Sequence, residues 1–178
     1  MAGFSYRKNL DGSAYVPSLL NGIGVNSGEI TVGDPVRIDN EGFISLADAV
    51  TDGIVGIVAS VVTADGIAKT YDTGTPDTWT LSSDNETVAK DTISYIPALP
   101  HYLWYNDADA SLTQAMEGQF FNITAGSSQI DVATATDTAN EQFRLISRDP
   151  DGDADASKGL FQIVESQLVG VSMGLVAQ

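Results

Sequence analysis

A chain of 178 residues with 43% apolar side chains is long enough to bury a core and too apolar to be disordered. Its net charge of −16, from 24 acidic against 8 basic residues, lacks the basic footprint that nucleic acid or an anionic membrane surface requires. The absence of cysteine excludes disulfides and thiolate metal sites. Charged residues make up only 18%, and Ser, Thr, Asn and 17 Gly fill the difference. That mixture favours short strands and turns over long surface helices. No apolar run follows Arg7-Lys8, so no signal peptide is expected. No stretch of about 18 apolar residues exists, so no membrane-spanning helix is expected.

Residues 1–22 show neither the helical nor the strand period. They mix aromatics (Phe4, Tyr6, Tyr15) with turn residues and the basic pair Arg7-Lys8, and are expected to form an extended N-terminal arm. Residues 23–178 then read as a single β domain. Glu29-Ile30-Thr31-Val32 alternates, Gly33-Asp34-Pro35 turns, and Val36-Arg37-Ile38-Asp39 alternates again. Asn40-Glu41-Gly42 predicts a hairpin turn before Phe43-Ile44-Ser45-Leu46. The β-branched run from Ile54 to Val62 predicts a strand buried on both faces, with Gly56 marking a bulge or a close packing point. Residues 63–92 are polar and turn-rich, with a small strand at Trp79-Thr80-Leu81, and are expected to form an inserted hairpin or long loop. Further strands are predicted at Ile93–Ile96, His101–Tyr105, Phe120–Ile123, Gln142–Ile146 and Gly159–Glu165, with one helical turn at Leu112–Met116. The apolar tail from Leu168 to Gln178 is expected to add a last strand. About ten short strands at this spacing predict an all-β fold, either a small barrel or a tulip-like sandwich.

Few residues carry the signature of chemistry. His101 is the only histidine, and no nucleophile motif lies near it, so no catalytic site is expected. With no cysteine and one histidine, neither a zinc site nor another cofactor is expected. The loop Asp149–Asp155 has the composition of a calcium loop but fails the EF-hand pattern, with Ala156 at the sixth position and Gln162 at the twelfth. A solvated acidic turn and a hard-cation site both remain open there. Tyr102-Leu103-Trp104-Tyr105 reads as a core strand, or else as an aromatic platform for sugar or peptide. The sequons at Asn85 and Asn122 are chance matches in the absence of a secretory signal.

Three segments suggest a family: Gly33-Asp34-Pro35-Val36-Arg37-Ile38, Gly42-Phe43-Ile44-Ser45-Leu46-Ala47 and Asp52-Gly53-Ile54-Val55-Gly56-Ile57-Val58. They are followed in order by Tyr105–Asp109, Gly118–Ile123, Gln142–Leu145 and Gly159–Ile163. Over roughly residues 29–167 the chain resembles tailed-phage head decoration proteins, the capsid cement proteins. The resemblance implies a β body that binds the exterior of an assembled shell. It also implies oligomers at capsid symmetry axes, with a homotrimer favoured, and a terminal arm reaching a neighbour. The major capsid protein would be the partner, and the virion exterior the location, after synthesis in the host cytoplasm.

These readings set the functional expectation. The chain is expected to be a non-enzymatic virion structural protein that binds the capsid and stabilises it. Phe4, Tyr6, Arg7, Lys8 and Tyr15 are the expected partner-binding residues, because they concentrate aromatic and basic character at one end. The alternative is a carbohydrate- or receptor-binding β module on a virion fibre.

Overall fold

The computed structural model describes residues 3–11, 19–24, 29–38, 42–47, 52–62, 68–69, 78–80, 91–124, 128–137, 141–148 and 156–164. These residues are all-β. In chain order the strands are β1 (Ser5–Asn9), β2 (Leu20–Ile23), β3 (Glu29–Thr31), β4 (Pro35–Ile38), β5 (Ile44–Leu46), β6 (Gly56–Val62), β7 (Ala68–Lys69) and β8 (Thr78–Thr80). They continue as β9 (Thr92–Pro97), β10 (Tyr102–Asp107), β11 (Phe120–Ile123), β12 (Ile130–Thr136), β13 (Phe143–Arg148) and β14 (Lys158–Ile163). The expected helical turn is a single 3-10 turn at Gln114–Met116.

The strands form two main antiparallel sheets. The first has the order β1-β10-β14-β13-β11-β12, and the second β2-β9-β6-β4-β5, with β7 added beside β6. A separate pair joins β3 to β8. Of the two shapes that the sequence left open, the sandwich holds and the closed barrel does not. Each sheet does curl, because single parallel bridges tie Gly24 to Ile44 and Ala108 to Ile130. One bridge is not a hydrogen-bonded seam, so both sheets keep their ends.

The core explains the pairing of the sheets. Trp104, Phe121, Phe143, Leu145, Phe161 and Ile163 of the first sheet share one apolar cluster with Ile54, Ile57 and Ala98 of the second. Val36, Ile44, Val58, Val61, Ile93 and Tyr95 form a second cluster inside the curl of the second sheet. Strand β6 feeds both: Ile57 enters the first cluster, and Val58 and Val61 enter the second. The predicted two-sided burial of the Ile54–Val62 run is therefore present, for a stated geometric reason. A bulge between Val58 and Ser60 keeps Val61 on the side of Val58, where strict alternation would have turned it away. Full burial of each large apolar side chain contributes roughly 1.5–3 kcal/mol.

Residues 1–22 do not stand off as an arm where they are described. Strand β1 pairs with β10 at one end of the first sheet, and β2 pairs with β9 at one end of the second. The pairing of β1 was hidden because an edge strand buries little. It exposes Ser5, Arg7 and Lys8, and a register shift between Tyr6 and Lys8 breaks its alternation. The inserted region 63–92 contributes β7 and β8, each paired outside the insert. The acidic loop 149–155 and the tail 168–178 lie outside the described residues.

Candidate docking surface

The N-terminal strand is fixed at its start by backbone geometry. Gly3 and Gly33 both take left-handed φ angles, +114° and +99°, that favour glycine. A Cβ on Gly33 would lie 3.0 Å from the Gly3 Cα, so the two segments cross at a distance that side chains forbid. There the Phe4 N–H donates to the Gly33 carbonyl at 2.7 Å. The same turn is anchored on its other side by the Gly33 N–H donating to the Val58 carbonyl at 2.9 Å. Phe4 thus ties the first sheet to the turn between β3 and β4.

Asp34 completes this junction. Its carboxylate accepts the Thr31 N–H at 2.6 Å and the Ser128 hydroxyl. The Ser128 carbonyl in turn accepts the Asn106 amide at 2.6 Å. Burial pushes the Asp34 carboxyl up to about 6, against these two hydrogen bonds, which lower it. The acid is therefore a joint between elements that is costly to charge.

The expected docking residues part company. Phe4 is 3% exposed and stacks on Phe143. Tyr6 is half-buried, edge-on to Tyr102 and Trp104, and its hydroxyl donates to Asn9 at 3.0 Å. Both aromatics are spent on the fold: Phe4 belongs to the core cluster that holds Trp104, and Tyr6 packs against it. Arg7 and Lys8 remain exposed. Tyr15 lies outside the described residues.

Three leucines and Ile38 are the large apolar side chains left exposed among the described residues. Leu10 is 54% exposed, Leu19 51% and Leu20 48%. Leu10 follows β1, and its N–H donates to the His101 carbonyl at 2.7 Å. Leu20 pairs with Tyr95 near the end of β9. Leu10 thus sits beside the start of β10 on the first sheet, and Leu20 beside β9 on the second. A cleft of about 580 Å³ opens beside Leu10, lined by Asn9, Leu10, Asp11 and His101. These leucines carry neither the aromatic nor the charge signal that marks Phe4 to Lys8 in the sequence. Leu19-Leu20, adjacent and outside any alternating run, was the available signal.

The other candidates resolve individually. Trp104 is fully buried and Tyr105 half-buried, so the aromatic run is a core strand rather than a platform. His101 is exposed and edge-on to Tyr102 at 4.7 Å. Asn122 is buried, donating to the Glu141 carboxylate and accepting the Gln142 N–H, so its sequon is internal. Asn85 lies outside the described residues. Among the described residues no group of three or more His, Cys, Asp or Glu side chains is placed to hold a metal ion. No helix is long and apolar enough to cross a membrane among them either. No protein-family model, curated protein or solved structure matches the chain.

Proposed function

We propose that this chain is a non-enzymatic virion structural protein that binds the outer surface of an assembled capsid, through its major capsid protein, and stabilises it. The observation that carries this reading is the exposure of Leu10, Leu19 and Leu20, each about half open to solvent. An exposed apolar surface on an acidic body suits docking against a protein. The segments that resemble decoration proteins overlap β4, β5, β6, β10, β11, β13 and β14, seven of the eleven strands in the two main sheets. A rigid sandwich with exposed apolar side chains needs area and valency for such binding, not an active site. A homotrimer would engage three copies of such a surface at once and turn weak contacts into tight binding.

Stabilisation follows from mass action, because a ligand that binds only the assembled state lowers its free energy. The carbohydrate-module reading needs an exposed aromatic platform, and burial of Trp104 removes its main support. Heads assembled without this protein provide the test. Adding it should raise the temperature at which they release DNA, in proportion to occupancy. An unchanged release temperature at saturating protein contradicts the proposal.

A further inference from the structure

The order of the first sheet leaves β12 at one end, with one backbone edge facing no further strand of that sheet. Its sequence, Ile130-Asp131-Val132-Ala133-Thr134-Ala135-Thr136, holds one charge, no proline and no glycine. A free edge on such a strand is a template on which another chain adds a strand. The other sheet ends are blunted by familiar means. Strand β1 exposes Arg7 and Lys8 and carries a register shift, and Gly24 bridges Ile44 between the two ends of the second sheet. At β12 the segment after β10 closes the edge. Ala108 forms a parallel bridge with Ile130, and the Asp109 N–H donates to the Ile130 carbonyl at 2.9 Å. In a parallel ladder the main-chain carbonyl of Asp109 would next accept the Val132 N–H. Here the Asp109 carboxylate accepts it, at 3.0 Å. The side chain stands in for the main chain, which turns away so that Leu112 enters the core and its N–H donates to the Ala156 carbonyl. Strand β12 closes its next groups itself. The Asp131 carboxylate accepts the Ala133 N–H at 2.9 Å, and the Asp131 carbonyl accepts the Thr134 hydroxyl at 2.7 Å.

We infer that Asp109 is a plug on a strand-addition site, and that the occupant it shuts out is β12 of a second copy of this chain. The groups on the edge select that occupant. In an antiparallel pair of two β12 edges, Ile130 of each copy lies opposite Val132 of the other, and each Val132 N–H donates to the Ile130 carbonyl across the pair. These are the two groups that Asp109 holds, so the edge is complementary to itself and the plug occupies the contact. The same pairing sets Asp131 against its own copy, and like charges directly opposite add to the exclusion. The net charge of −16 also keeps copies apart, but salt screens that repulsion, whereas the plug works by occupancy and is indifferent to salt.

The inference stands apart from the decoration reading, and its test uses no capsid. The probe is a labelled peptide of residues 129–136 carrying Asp131→Ala, which removes the like-charge contact. It is titrated into the full chain at about 0.5 M salt, where repulsion between copies is screened. Asp109→Ala should bind the peptide roughly tenfold or more tightly than the parent does. Asp109→Asn keeps a side-chain oxygen to accept the Val132 N–H and should behave as the parent. The same peptide with methylated backbone nitrogens cannot donate to Ile130 and should not bind Asp109→Ala. Near-ultraviolet circular dichroism verifies folding. Amide exchange of the parent gives a reading that needs no variant: the Val132 N–H should be protected, and Asp109→Ala should speed its exchange roughly tenfold. Equal peptide binding by the parent and Asp109→Ala, tight binding by Asp109→Asn, binding of the methylated peptide, or an unprotected Val132 in the parent would each overturn the inference.

Discussion

Phe4 stacks on Phe143 with ring centroids 4.6 Å apart and planes inclined by 18°. This contact, with the hydrogen bond from Phe4 to Gly33, makes the N-terminal residues part of the sandwich. Replacing Phe4 by Ala empties a site that is 3% exposed. The expected cost is roughly 3–5 kcal/mol in urea unfolding. A loss below about 1 kcal/mol would show that the strand is attached only loosely.

Gly56 admits no side chain. A Cβ there would lie 2.3 Å from Tyr95 Cδ2 and 2.5 Å from the Ile96 carbonyl oxygen. The carbonyl belongs to the paired strand and cannot turn aside without breaking the β6–β9 ladder. Gly56→Ala should therefore destabilise by about 2 kcal/mol or more, well beyond the usual penalty-free exchange of a glycine in a strand. Thermal unfolding of the variant checks this, and an unchanged midpoint would refute the close packing of β6 on β9.

Asp34 makes stability depend on pH in a defined direction. Its carboxyl sits at about 6 in the fold, above the usual 3.8, chiefly because of burial. Below about pH 3.8 it is neutral in both states and its stabilising contribution is complete. Between there and pH 6 the unfolded chain ionises first, so stability falls as pH rises. Above pH 6 the loss is complete, on the order of 2–3 kcal/mol. Asp34→Asn stays neutral and can still accept the Thr31 N–H. Its stability relative to the parent should rise by that amount from pH 4 to 7.5, the other carboxylates cancelling in the difference. A difference independent of pH would show that Asp34 is charged without cost.

Much of this fold was legible because β-branched and aromatic residues concentrate in short runs, either alternating or apolar throughout. Val36, Ile57, Val58, Val61, Phe143, Leu145, Phe161 and Ile163 are core residues in runs that were readable as strands. Strand β12 was not marked, because Ile130-Asp131-Val132-Ala133-Thr134-Ala135-Thr136 buries only Ile130 fully. Strand β1 was missed as an edge strand for the same reason, with its core residue Phe4 just outside it. The candidate docking surface was the least legible part. Which of Phe4, Tyr6, Leu10 and Leu19 faces solvent depends on pairings of β1 and β2 with strands some 70–100 residues away, which no local pattern encodes.

The leucine surface should matter for binding and not for folding. Leu19→Ser/Leu20→Ser changes two side chains that are about half exposed. Unfolding free energy should shift by no more than about 0.5 kcal/mol per site. Affinity for assembled heads should fall at least tenfold, read by titration of labelled protein. Unimpaired binding would move the shell-facing surface elsewhere on the molecule.

The most direct test is co-sedimentation of the purified chain with heads assembled without it, beside unassembled capsid protein as control. Saturable binding at a fixed number of copies per head, with none to the unassembled protein, is the result that the decoration reading predicts. Absence of binding to assembled heads at saturating concentration would contradict it.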